Sequence, residues 1–211
     1  MERVICLIDG FNLYHSIARL DRPRLKWCNY RALAERFLVS GQRLERVLYF
    51  TAIATHYPSK AQKHGWYIQA LEEHGVETVL GRFKRVKRKC PKCGKSGNVS
   101  HEKETDVNMA IRLSHLAHTD AFDTALLVSG DSDFASAIRF VRQHFPHKKI
   151  GVVFPVSSAT SADLTDASTF FRYMTQTDLK KSLLPDVVTL SNGKVIFNPF
   201  SPTTDSDAPS E

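Results

Sequence analysis

Val4-Ile5-Cys6-Leu7-Ile8-Asp9-Gly10 is the stretch that decides the fold. Apolar residues follow one another without polar alternation, the pattern of a strand buried on both faces of a parallel sheet. An acid and a glycine close it, and 11–20 then reads as a helix. The alternation continues outward. Asn29 is placed to cap a helix reaching Leu38, 47–50 reads as a second strand, 59–73 as a helix ended near Gly75, and 76–83 as a third strand. After a basic interruption, 104–118 reads as a helix with Val107, Ala110, Ile111 and Ser114 at helical spacing. Residues 124–128 form a strand ending on Ser129-Gly130-Asp131, and 133–145 a helix with Phe134, Ile138 and Val141 on one face. A fifth strand covers 149–154, 170–174 is a candidate sixth, and a short helix starts at Thr177-Asp178. Strands alternating with helices predict an α/β domain whose mostly parallel sheet of five or six strands is covered on both faces, with right-handed crossovers. In such sheets ligands bind beyond the carboxyl ends of the strands, where the strand order reverses. No GxGxxG follows the first strand and no GxxxxGK[ST] occurs, so dinucleotide and P-loop chemistry are set aside.

The chain of 211 residues is long enough for one domain with a sizeable core. No apolar run approaches the ~20 residues of a membrane span, and the first residues lack a signal peptide's layout. The expectation is a cytoplasmic protein with no membrane partner, in which the four cysteines are reduced or metal-bound. A net charge of +7 favours polyanionic partners. The charge is concentrated: Arg82, Lys84, Arg85, Lys87, Arg88, Lys89, Lys92 and Lys95 follow one another with no acid between them. This is either a solvated loop or an arm that contacts phosphates. Phe83 beside it is a candidate to stack on a base.

Asp9 ends the first strand, Asp131 and Asp133 follow the fourth, and Asp106 lies in the first turn of the helix before that strand. Asp106 shares a face with Ala110, Leu113 and Ala117, which turns it toward the body of the protein. Each acid also has a local reading, as a helix cap or a turn residue. Together they form a cluster whose mutual repulsion a divalent cation would relieve. Magnesium takes oxygen ligands, keeps several waters and is held by few carboxylates plus substrate phosphates. Asn12 is placed to orient Asp9, or to cap the first helix. Phosphate-monoester chemistry through an aspartyl phosphate is disfavoured, since Phe11 stands where a second acid is needed.

Cys90-Pro91-Lys92-Cys93 is half of a zinc site, with His101 a candidate third ligand and Cys28, His74 or a second subunit the candidate source of the fourth. A reduced surface hairpin is the alternative. Cys6, inside a strand, reads as core.

Ile8-Asp9-Gly10-Phe11-Asn12-Leu13, Glu102-Lys103-Glu104-Thr105-Asp106-Val107 and Leu127-Val128-Ser129-Gly130-Asp131-Ser132-Asp133-Phe134, in this order and spacing, resemble the NYN domain family of PIN-like nucleases, and most of all its bacterial LabA-like group. The resemblance covers about residues 4–154. It implies a PIN-like, Rossmann-like three-layer sandwich and a magnesium- or manganese-dependent ribonuclease site. Asp9, Asp106, Asp131 and Asp133 would bind or organise the metal, Asn12 and Ser129 would support them, and Glu104 is a weaker candidate. Downstream, Ser161, Leu164 and Ala167 fit the family pattern, but Ser168 stands at an expected aspartate, with Asp163 and Asp166 as candidates to compensate. The expected organisation is an NYN domain over 1–185 with a basic, CxxC-bearing insertion at about 84–101, an extension over 186–198 and a disordered tail over 199–211. The expected activity is hydrolysis of RNA, with Arg82, Lys84, Arg85, Lys87, Arg88 and Lys89 on the substrate. An RNA-binding regulatory module with little turnover is the alternative, and a homodimer is a candidate assembly.

Overall fold

The computed structural model describes residues 1–89 and 96–201. The first strand, β1 (Glu2–Asp9), is the middle of the sheet and runs straight into α1 (Gly10–Ala18). A 3-10 turn (Pro23–Lys26) and α2 (Tyr30–Glu35) lead to β2 (Gln42–Thr51), α3 (Pro58–Glu73) and β3 (Val76–Leu80). Next come β4 (Arg82–Lys89), β5 (Ser96–Lys103) and α4 (Thr105–His118). The second half adds β6 (Thr124–Val128), α5 (Phe134–His144), β7 (Lys149–Phe154), α6 (Ala162–Ala167), β8 (Phe170–Tyr173) and α7 (Gln176–Lys180). A small hairpin of β9 (Val187–Thr189) and β10 (Val195–Phe197) follows.

The six-stranded sheet has the order β3-β2-β1-β6-β7-β8, and every neighbouring pair is parallel. The chain winds outward from β1 in one direction and then, from β6, in the other. The order therefore reverses between β1 and β6, and a crevice opens beyond their carboxyl ends. Alternate residues of β1 feed two cores. Val4, Cys6 and Ile8 pack with Leu13 and Ile17 of α1, Leu33 of α2 and Leu71 of α3. Ile5 and Leu7 pack with Met109 and Leu113 of α4 and Ile138 and Val141 of α5. Each fully buried side chain of this kind is worth about 1.5–3 kcal/mol relative to exposure, so the apolar run of β1 stabilises both layers at once.

Three elements differ from the sequence reading. The third strand ends at Leu80, and the basic segment, expected as an insertion from about 84, is an antiparallel ribbon of β4 and β5 that begins at Arg82. Its backbone register pairs Phe83 with Glu102 and Lys84 with His101. On α4 the buried residues are Met109, Leu113, Leu116 and Ala117, whereas Val107 and Ile111 are 59% and 61% exposed. The helix carries two apolar stripes, and the sheet takes the one with the larger, more continuous face. At the carboxyl end, Ile196 is buried, and Phe200, inside the expected tail, packs on the same core as β9 and β10.

Gly151 in β7 lies under Phe170 of β8, and a Cβ there would stand 2.3 Å from two ring carbons. Gly151→Val is expected to destabilise the protein by about 1–3 kcal/mol, read as a lower urea midpoint. Adding Phe170→Leu is expected to restore part of the loss. An unchanged midpoint in the single variant would show that the edge strand does not need this close contact.

Candidate functional site

The turn from β1 into α1 brings Asp9 to the point of reversal. Gly10 makes the turn feasible, because a Cβ there would meet the Tyr49 ring at 2.4 Å and the Phe50 carbonyl oxygen at 2.6 Å. The helix thus starts pressed against β2, with Asp9 as its N-cap. Asp9 is 4% exposed. Its Oδ1 accepts the Asn12 backbone N–H at 3.0 Å and its Oδ2 accepts the Ser129 hydroxyl at 2.9 Å. Ser129, the residue after β6, also accepts the Asp131 N–H at 3.1 Å. Asn12 Oδ1 accepts the Gly130 N–H at 2.9 Å, and Asp131 Oδ1 accepts the Asp133 N–H at 3.0 Å. Asn12 and Ser129 therefore stitch the ends of β1 and β6 together across the crevice.

Asp9, Asn12, Asp106 and Asp131 line one open cleft of about 300 Å³, together with Glu102, His15, Arg19 and Ser158. Burial pushes the Asp9 carboxyl up to about 6, against the lowering effect of its two hydrogen bonds, and the charges of Asp106 and Asp131 add to the rise. Asp106 stands at the exposed lip, where partial burial, then Glu102, Asp131 and Asp133, raise its carboxyl. The opposite end of the sheet shows the contrasting case. There Arg3 bonds Asp123 with both backbone and guanidinium, holding that carboxyl down to about 2, and the buried Lys148 pairs with Asp120. Acids at the amino ends of the strands are matched by cations. Those at the carboxyl ends share one cleft and repel one another.

The carboxylates of the cleft offer oxygen donors, which suit a hard divalent cation. Among the described residues no three His, Cys, Asp or Glu side chains converge closely enough to ligate one ion directly. Such a cation fits this cleft through one or two carboxylates with water completing its shell. Asp133 sits at the start of α5, yet its side chain makes no capping hydrogen bond.

Other expected residues fall elsewhere. Glu104 pairs with Arg82 at 2.6 Å at the base of the ribbon, which engages both away from the cleft. Lys84 is exposed. The side chains of Arg85, Lys87, Arg88, Lys89 and His101, and the whole of Cys90 and Cys93, lie outside the described residues, and the zinc half-site with them. Cys6 is core, as expected. Cys28 is enclosed as well, its thiol donating to the Ser182 carbonyl at 3.3 Å and raised by burial, so it is a core group and not an available ligand. His74 Nδ1 lies 2.8 Å from the Ala70 carbonyl at the end of α3. Ser161 caps α6, Ser168 is buried, and Asp163 and Asp166 are exposed and outside the cleft.

Glu102, Ser158, His15 and Arg19 were not anticipated. For the last two a signal exists: Asn12, His15 and Arg19 are three and then four residues apart on α1, which places them on one helical face. Glu102 comes from the ribbon, where its carboxylate accepts the Thr105 N–H at 3.2 Å.

A parallel sheet with its acids gathered at the reversal defines the class: this chain belongs to the NYN domain family, whose profile matches residues 3–175, within the PIN-like superfamily of typical nucleases. It is 33% identical over 200 residues to the 6-hydroxy-3-succinoylpyridine 3-monooxygenase of Pseudomonas putida, an alignment covering 77% of this chain and 62% of that protein. The chain thus spans about three fifths of that relative's length. Its fold is shared with a solved protein of unknown function from Vibrio parahaemolyticus, at a TM-score of 0.54 and 24% identity over 87% of this chain and 96% of that one. Among the described residues no helix is long and apolar enough to cross a membrane.

The raised Asp9 carboxyl makes a prediction for the metal-free protein. Because the folded value of about 6 lies above the ordinary 3.8, Asp9 favours folding below pH 4, and that contribution is lost as pH rises through 6. The difference corresponds to at most about 3 kcal/mol. Asp9→Asn is expected to flatten the fall in melting temperature between pH 4 and pH 7. Millimolar magnesium is expected to raise the melting temperature of the wild type at pH 7.5 and leave the variant unmoved. Parallel pH profiles for the two proteins would refute this account of Asp9.

Proposed function

We propose that this chain is a metal-dependent ribonuclease. The observation that carries the reading is Asp9: a buried carboxylate fixed by Ser129 and Asn12, raised by burial, and joined in one cleft by Asp106 and Asp131, with no ion pair to it among the described residues. Asp9, Asp106 and Asp131 would hold magnesium or manganese, partly through water; Asp133 does not line the cleft and acts on it through its charge on Asp106. When bound, such an ion polarises a phosphoryl oxygen and lowers the pKa of a water. The protein's own residues do the positioning. Asn12 and Ser129 keep Asp9 in one orientation, and Asp131 is held by the turn that follows β6. Arg19, on the same cleft, donates only a long bond of 3.5 Å to the Ser157 carbonyl, which leaves most of its guanidinium for a phosphate. The ribbon adds a dense line of cations for the backbone of a nucleic acid. The monooxygenase relative keeps its own named activity, and nothing in this cleft argues for that substrate here.

One observation favours a second reading, an RNA-binding regulatory module with little turnover: the described acids do not converge for direct three-ligand binding. An RNA-cleavage assay with magnesium and manganese add-back separates the two. The wild type is expected to cleave, and the Asp9→Asn, Asp131→Asn double variant to lose metal-dependent cleavage by about 100-fold or more with its fold intact. Tight binding without cleavage in either metal would establish the regulatory module instead.

Replacing Arg85, Lys87 and Arg88 by Gln is expected to weaken RNA binding and to reduce the slope of log affinity against log salt by about 2, roughly 0.7 for each cation on a single strand. A slope identical to the wild type would make the ribbon a bystander.

A further inference from the structure

Phe11 is the wall between two cavities. On one side lies the acidic cleft. On the other, a cavity of about 360 Å³ opens among α1, the 3-10 turn, the end of β2 and α3, and Phe200 closes part of it. That volume falls in the ~300–1,000 Å³ range of small-molecule sites. The walls are aromatic and fixed. Trp27, Tyr30 and Tyr49 are buried and meet Tyr67 in tilted and edge-on contacts with centroids 5.5, 5.7 and 6.5 Å apart. The charge at its mouth is positive. Lys60 and Lys63 lie on the same face of α3 as His64 and Tyr67, and Lys26 stands 5.0 Å from the Tyr14 ring centre. Among the described residues no carboxylate pairs with any of these three lysines.

We propose that this cavity takes one unstacked nucleobase of an RNA strand whose backbone crosses the acidic cleft, an inference that rests on RNA being the substrate. Aromatic walls accept any base by its face. The lysines supply charge for the phosphates flanking the inserted base, which an uncharged aromatic ligand would leave unmatched. Phe11 lines both cavities and so joins the base subsite to the phosphate subsite. Phe83, from the base of the ribbon, packs edge-on against Phe11 at 5.8 Å and lines the same cavity, so the ribbon, the base and the phosphate meet at one point. A polar handle lies within: the Tyr49 hydroxyl and Thr51 Oγ1 stand 3.1 and 3.4 Å from His64 Nε2, and the other ring nitrogen is left for a base edge. Burial lowers the His64 imidazole, which favours the neutral ring with one donor and one acceptor nitrogen. A duplex, whose bases stay stacked, cannot use this cavity, and the site therefore selects single strands.

The test is equilibrium binding in EDTA, where no bond is cut. A labelled single-stranded oligoribonucleotide is titrated into the wild type and into Tyr14→Ala/Phe200→Ala. Both substituted residues lie at the edge of the cavity, and an unchanged melting temperature verifies the fold. Loss of one stacked base predicts about tenfold weaker binding by the variant. Moving a single abasic nucleotide along the oligonucleotide should reproduce that loss in the wild type at one position and add nothing in the variant. Uridine 5′-monophosphate should quench Trp27 and compete, while inorganic phosphate should not. Lys60→Ala/Lys63→Ala, both exposed, should lower affinity and flatten the salt dependence. Equal affinity of wild type and aromatic variant, an abasic penalty that is the same at every position, or stronger competition by nicotinate than by the mononucleotide would each overturn the proposal. Base capture without magnesium-dependent cleavage would uphold this cavity while sinking the ribonuclease reading.

Discussion

A carboxylate removed from water must find donors, a proton or a cation, and Asp9 stands where the backbone supplies only part of that need. Two donors reach it, one from the start of α1 and one from Ser129 across the strand reversal. They fix its orientation without compensating its charge, because burial, and after it the neighbouring acids, push in the opposite sense. Much else in the molecule follows. β1 has to be central so that Asp9 lies at the reversal. Gly10 has to lack a side chain so that α1 can begin against β2. Asn12 has to bridge to Gly130 so that the two strand ends keep their spacing. The ion pairs at the far end of the sheet join the loop before β6 to β1 and to the loop before β7, whereas Asp9, Asp106 and Asp131 share a cleft at the other end.

Much of this was legible in the sequence because the physical signals are strong. A run of buried aliphatics has few solutions other than a central parallel strand, and acids directly after such runs must lie along one edge of the sheet. Phe134, Ile138 and Val141 gave the buried face of α5 correctly, since one apolar stripe dominates there. On α4 two stripes compete, and the pattern alone does not say that Met109 and Leu113 go inside while Val107 and Ile111 stay out.

The ribbon was hidden for a different reason. Its sequence has almost no apolar alternation, so neither strand announces itself. Its order comes from pairing with itself and from Phe83 packing on Phe11 and His56 at its foot. With the ribbon unread, Glu102 was unreadable as a cleft residue. His15 and Arg19 share a face with Asn12, but a histidine and an arginine at helical spacing are also what an ordinary solvated helix face carries. The aromatic cavity was invisible for a more basic reason: its walls come from residues 10 to 83 and from Pro199 and Phe200, and only the folded chain brings these together.

Phe83 and Glu102 are opposite each other in the ribbon's register, yet one lines the aromatic cavity and the other the acidic cleft. The foot of the ribbon is thus a joint held in common by two compartments, with Gly81 packed tightly against Thr105 behind it. Anything that grips the outer ribbon and tilts it moves both walls together.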